Sequence, residues 1–238
     1  MIPRHRLLAI LALAATGAAR AELSHDLIGR DPVGPEVRQM FQDLYHPRDP
    51  DLSGNRAVRG DRAAPVLLAL YGSFTCAHCP AAYRIAQRSR ARYGRKLAYV
   101  LKHYFPASDP LALAAATRFE AIALQDADAA YEYQDRLFAD PAQLASRGEA
   151  FLDETAARLK IDVPRMQRDR TGPEVLRRIQ ADQAEAAKLG MRLAPGFDAG
   201  GIVIANSDAD AATEEHVNSV IDDRLKYELK NGRLVRRQ

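Results

Sequence analysis

Two cysteines, the only two in the chain, stand three residues apart as Cys76-Ala77-His78-Cys79, directly after a short apolar run and directly before a helix-patterned stretch. That placement limits the fold more than any other feature. Val66-Leu67-Leu68-Ala69-Leu70 is continuously apolar and bounded by Pro65 and Gly72, the pattern of a strand buried on both faces. From Cys79 to Tyr93 the chain reads as a helix, with Ala82, Ile85 and Ala86 on one side and Gly94 to close it. A second apolar run follows from Leu97 to Tyr104. Strand, helix and strand in that order make a βαβ unit, whose crossover sets the two strands parallel.

Where a helix begins, unpaired backbone N–H groups and the positive end of the helix dipole favour an anion. A cysteine there is held as thiolate more readily than as thiol, which makes Cys76 the expected nucleophile. Cys79, one turn along, resolves the mixed disulfide formed on Cys76. His78 adds a ring N–H or a positive charge beside the same sulfur. A stabilised thiolate stabilises the reduced pair, so the disulfide is expected to oxidise other thiols. Pro80 fits a first helical turn, where its missing N–H goes unused.

Two other uses of the pair compete. A purely structural disulfide would close a loop so short that it stabilises by roughly 2 kcal/mol, a weak staple for a chain that is 47% hydrophobic and able to build a core. A zinc site needs about four ligands, whereas His25, His46, His103 and His216 are scattered without ligand spacing. The metal-site expectation is therefore none, and nothing in the sequence calls for a cofactor. Lys102 and His103 are read as an exposed strand end, with help in proton transfer to Cys79 as the sharper alternative.

Beyond the second strand the pattern is helical from about 109 to 189. Leu111, Ala115, Phe119 and Ile122 recur at helical spacing, as do Val175, Ile179, Ala186 and Leu189, and Pro141, Pro164 and Gly172-Pro173 divide the region. Gly201-Ile202-Val203-Ile204-Ala205 is expected as a strand. A C-terminal helix is expected to turn Val217, Val220, Ile221, Leu225 and Leu229 inward and to end near Asn231-Gly232. Residues 22–60 form an N-terminal extension: a short amphipathic helix with Val37, Met40, Phe41 and Leu44 on one face, then a loop marked by Pro47, Pro50, Gly54 and Gly60. Its apolar face either packs on its own domain or pairs two copies. The chain is thus a monomer or a homo-oligomer through residues 22–60.

Residues 1–21 have a basic start at Arg4 and Arg6, an apolar run from Leu7 to Ala15, and Ala19-Arg20-Ala21 as a small-x-small cleavage site. The run is far short of the roughly 20 residues that span a bilayer. A signal peptide cleaved near Ala21 is expected, which places residues 22–238 in the periplasm or outside the cell. Cleavage would remove Arg4, Arg6 and Arg20 and no acid, so the formal charge of +3 becomes zero. The charge then gives no argument for nucleic acid. Arg165, Arg168, Arg170, Arg177 and Arg178 read as a solvated helix face interrupted by acids.

The segment Tyr71-Gly72-Ser73-Phe74-Thr75-Cys76-Ala77-His78-Cys79 resembles the active-site segment of DsbA-like thioredoxin-fold proteins, and the order of elements along nearly all of residues 22–238 is similar. The resemblance implies an α/β thioredoxin fold, a central mixed sheet flanked by helices, over residues 61–238 with the helical insertion inside it. It implies that Pro195 in Leu193-Ala194-Pro195 is cis and faces the disulfide, and that the backbone of Ala194 pairs with an extended substrate peptide. The residues between Pro195 and the expected strand, Gly196 to Gly201, depart from the family pattern, as does Ala194 where Thr or Val is usual. The implied activity is donation of the Cys76–Cys79 disulfide to folding polypeptides with free cysteines, followed by reoxidation by a membrane partner. A reductase partner would instead make the protein an isomerase or reductase, and a binding or chaperone module with incidental cysteines is the reading from another class.

Overall fold

The computed structural model describes residues 50–53, 56–204, 213–230 and 233–236. The expected signal peptide, the amphipathic helix bearing Val37, Met40, Phe41 and Leu44, and with it the oligomer question, lie outside the described residues. The chain divides into two compact units. Pro47–Glu228 with 235–238 is one, and it holds the described elements other than the C-terminal strands. No helix among the described residues is long and apolar enough to cross a membrane.

The crossover is present. Strand β1 (Val66–Gly72) leads through helix α1 (Cys79–Tyr93) and a single 3-10 turn (Gly94–Lys96) to β2 (Leu97–His103). The two strands pair in parallel, in register from Val66↔Leu97 to Gly72↔His103. Both are buried along their whole length. The alternation of side chains divides them between two apolar layers: Val66, Leu68 and Leu70 join Leu97, Tyr99 and Leu101 on one face, and Leu67, Ala69 and Tyr71 join Ala98 and Val100 on the other.

Between β2 and the next strand lies the helical insertion: α2 (Pro110–Ala123), α3 (Ala127–Ala139), α4 (Pro141–Arg147), α5 (Glu149–Ala157), α6 (Val163–Asp169) and α7 (Pro173–Lys188). Four of these start at an aspartate. Asp109, Asp126, Asp140 and Asp162 each accept a hydrogen bond from the amide three residues on, which takes up a donor the helix itself leaves free. The prolines that divide the region sit in first turns, so they begin helices as well as end them. Helix α7 packs against both α2 and β2 and ties the insertion to the sheet.

Two expectations are corrected after α7. Gly196–Ala199 is itself a strand, β3, antiparallel to β1 with Tyr71↔Gly196 and Leu68↔Ala199, and it starts immediately after Pro195. Gly200 and Gly201, both at positive φ, turn the chain into β4 (Ile202–Ile204). The expected strand at 201–205 is thus the second arm of a hairpin. Asp198 hid the first arm: it is polar in sequence, yet it is 2% exposed and its Oδ1 accepts the Gly201 amide at 2.6 Å. The sheet order is β2-β1-β3-β4. Helix α8 (Glu214–Lys226) packs on α1 and β3. It stops before Leu229, which belongs to β5 (Tyr227–Lys230); β5 pairs with β6 (Arg233–Arg236) in a separate two-stranded sheet. Asn231-Gly232, taken as a helix end, stands where a hairpin signal would stand.

Residues 56–60 are more than a loop. Arg59 exchanges backbone hydrogen bonds with Tyr99 at 2.8 and 3.0 Å and so covers the free edge of β2. Its guanidinium holds Asp135 of α3 through two bonds, at 2.9 and 2.7 Å. Arg56 is buried, reaching Glu120 of α2 and Asp182 of α7. This strap therefore clasps the insertion to the sheet.

Candidate active site

The site forms where β1 ends. Gly72 lies against Cys79: a Cβ on Gly72 would come within 3.2 Å of the Cys79 sulfur, closer than such contacts usually are, so a larger residue there would have to push the sulfur or the strand end aside. The Ser73 amide points to the same sulfur at 3.5 Å. Phe74, 2% exposed, anchors the turn by packing against His103, Phe119, Tyr133 and Phe138. The chain then turns tightly, with the Cys76 amide donating to the Ser73 carbonyl and the Cys79 amide to that of Cys76.

Cys76 and Cys79 are joined in a disulfide with Cα atoms 5.3 Å apart. The two sulfurs are not equivalent. Cys79 is the first residue of α1 and has no exposed surface, whereas Cys76 lies in the turn ahead of the helix and is partly exposed. Cys76 is therefore just outside the helix rather than within its first turn, and the amides of Ala77 and His78 donate no hydrogen bond to the fold among the described residues. His78 is the N-cap of α1; its ring is exposed and makes no hydrogen bond among the described residues.

The segment before β3 closes over Cys76. The Ala194 carbonyl oxygen is 3.7 Å from Cys76 Sγ, and the Ala194–Pro195 peptide is cis. Four of the residues singled out from sequence, Cys76, Cys79, Ala194 and Pro195, thus meet in one place from two distant parts of the chain. Leu193 beside them is 54% exposed.

Lys102 and His103 are not an exposed strand end; each is 1% exposed. Lys102 Nζ pairs with Asp182 at 3.2 Å and Glu185 at 2.8 Å. His103 Nε2 contacts Glu120 Oε1 at 3.1 Å, and its amide donates to Asp182 at 2.9 Å. Arg56 and Arg178 complete the network around Glu120. Burial alone pushes the Glu120 carboxyl up, but the hydrogen bond and charge of His103 and the charges of Arg56 and Arg178 outweigh it and hold Glu120 down at about 2. His103, Glu120 and Asp182 bring ligand-type atoms within 4.8 Å of one another. Arg56 already bridges the two carboxylates.

Sequence reading missed Thr75 and Asp109. The Thr75 hydroxyl donates to Asp109 Oδ2 at 2.7 Å and lies 2.8 Å from the Ser73 hydroxyl oxygen. The available signal was the Asp109-Pro110 pair, a helix start; nothing local says that its carboxylate also reaches the turn before Cys76.

The thioredoxin family profile matches residues 52–223. Among curated proteins, the chain is similar to the Na(+)/H(+) antiporter NhaA of Herminiimonas arsenicoxydans, 32% identical over 164 residues that make up 69% of this chain and 25% of that protein. It is also similar to the Na(+)/H(+) antiporter NhaA 1 of Mycolicibacterium vanbaalenii, 36% identical over 100 residues, 40% of this chain and 16% of that one. The matched segments are thus a quarter or less of these relatives' length. Among solved structures, a thioredoxin-like oxidoreductase from Silicibacter pomeroyi superposes with a TM-score of 0.59 at 19% identity, covering 76% of this chain and 95% of its own. Oxidised BdbD from Bacillus subtilis gives 0.59 at 18%, covering 75% and 96%. The thiol-disulfide exchange protein alpha-DsbA2 from Wolbachia pipientis gives 0.63 at 14%, covering 79% and 96%. The shared architecture is the DsbA-like one, a thioredoxin sheet with helices inserted between its strands.

Proposed function

This chain belongs to the thioredoxin family, and from that premise we propose that it is a thiol-disulfide oxidoreductase that donates its Cys76–Cys79 disulfide to polypeptides bearing free cysteines outside the cytoplasm. The observation that carries the reading is the unequal placement of the two sulfurs: Cys76 is open to a partner at the threshold of α1, and Cys79 is sealed behind it.

The reaction follows from that placement. A client thiolate attacks Cys76 Sγ; the bond to Cys79 breaks, and the Cys79 sulfur leaves with the electron pair and takes up a proton. A second client thiolate attacks the client sulfur of the mixed disulfide and expels the Cys76 thiolate. The client has lost two electrons and gained a disulfide, and the Cys76–Cys79 pair is left reduced. The start of α1 favours that leaving thiolate, which supports the oxidising direction. Ala194, whose carbonyl lies against Cys76, and Pro195 would receive the client's extended backbone, and His78 at the N-cap would add to the field around the sulfur. A membrane oxidase would restore the disulfide, and the signal-peptide pattern of residues 1–21 supports a periplasmic or secreted location.

The test is to titrate the ultraviolet thiolate absorbance of the reduced protein and to follow exchange with glutathione. Cys76→Ser should abolish exchange, and Cys79→Ser should trap a mixed disulfide on Cys76. A Cys76 midpoint near that of free cysteine, about 8.5, would exclude the oxidising direction. A disulfide inert to glutathione and dithiothreitol in the folded protein would exclude the activity.

A further inference from the structure

Asp109 serves two elements at once. Its Oδ1 accepts the Ala112 amide at 2.9 Å, which caps α2. Its Oδ2 accepts the Thr75 hydroxyl at 2.7 Å. The Thr75 proton is therefore committed to Asp109. Ser73 Oγ and Thr75 Oγ1 are 2.8 Å apart, and with the Thr75 proton engaged, Ser73 is left as the donor between them. Both hydroxyl protons beside the redox turn are thus drawn toward one carboxylate, and neither serves the sulfur of Cys76, the covalent neighbour of Thr75.

We propose that Asp109 is a positioning residue that restrains the oxidising strength of the Cys76–Cys79 pair. Its carboxylate sets a negative charge and a polarised pair of hydroxyls beside the point where the Cys76 thiolate forms. The thiolate is consequently less stable than the start of α1 alone would make it, and the disulfide is a milder oxidant. Other charges surround the turn. His78 sits on it, and Arg192 on the segment leading to Ala194; both are exposed. Lys102 and His103, at the end of β2, are engaged in the buried network. Helix α2 carries no charged residue between Pro110 and Thr117. Asp109 supplies the opposing sign, and in binding both Thr75 and its own helix it also ties the insertion to the turn. This inference rests on the oxidoreductase reading above.

Two substitutions separate charge from capping. Asp109→Asn keeps the side-chain shape and its capping ability, but its amide group no longer accepts at both ends, so a hydroxyl proton is released as the charge disappears. Asp109→Ser also caps and removes the charge. A unit charge one residue removed, acting through partly exposed protein whose dielectric lies between that of a protein surface and that of water, moves a neighbouring titration by about half a pH unit. Both variants should therefore lower the Cys76 midpoint by about half a unit and shift the glutathione equilibrium roughly threefold toward reduced protein. A role confined to holding α2 predicts a lower melting temperature with no fall in the midpoint. An unchanged or raised midpoint in either variant, with a native circular-dichroism spectrum, overturns the proposal alone. A wild-type disulfide that does not exchange overturns the oxidoreductase reading and this one with it.

Discussion

Replacing Arg56 by Met tests whether the strap at residues 56–60 is held by charge. The methionine keeps the aliphatic stem and removes the guanidinium, which is 3% exposed and donates to Glu120 at 2.8 Å and to both oxygens of Asp182 at 2.9 and 2.5 Å. Two considerations bear on the loss. Breaking a buried ion pair from one side destabilises by about 3–5 kcal/mol, because a buried charge is left uncompensated. Glu120, held at about 2 against an ordinary 4.5, contributes about 3 kcal/mol at neutral pH, and Arg56 supplies part of that. Because this carboxyl is depressed in the folded state, its contribution is fully present above 4.5 and is lost as pH falls through about 2. Arg56→Met should therefore lose about 3 kcal/mol at pH 7, seen as a fall of about 1.5 M in the urea midpoint. At pH about 3 the loss should be smaller, since Glu120 without Arg56 is held down less and takes up a proton more readily. Urea unfolding followed by circular dichroism at both pH values decides it. A loss under about 1 kcal/mol at pH 7, or an equal loss at both, would mean that the strap is held by packing and that the charge reasoning is wrong.

Gly72→Ala should push against the Cys79 sulfur, 3.2 Å from the added methyl, and destabilise the oxidised protein by about 1–2 kcal/mol, read as a fall in melting temperature; an unchanged melting temperature would show that the strand end yields freely. Asp198→Ala removes the 2.6 Å bond to the Gly201 amide and should lose about 1.5–3 kcal/mol with faster hydrogen exchange at that amide. Wild-type exchange there would contradict the assigned role in the β3–β4 turn.

How far the sequence carries can be seen element by element. The bounds of α1 are local facts: Pro80 belongs in a first turn, Gly94 at an end, and the observed helix is Cys79–Tyr93. The same holds for β1 and β2, whose unbroken apolar runs mark strands buried on both faces. Strand β3 escaped because its evidence is not local. Gly196-Phe197-Asp198-Ala199 has no apolar run, and it is a strand because β1 and β4 pair with it on either side. The spacing of Leu229 suits a helix, although Asn231-Gly232 is equally a hairpin signal.

By itself the sequence placed the cysteine pair between a strand and a helix, with a proline segment far along the chain that resemblance set opposite it. Spacing and local propensity suffice there, because four consecutive residues and a helix start carry both sulfurs. Only the tertiary structure decided which charges are buried and which residues touch the turn before Cys76. Arg56 meets Glu120 and Asp182 across separations of 64 and 126 residues, and Asp109 meets Thr75 across 34. A charged side chain reads as solvated until its partner is known, and that partner is set by how helices stack on the sheet, which no local pattern encodes.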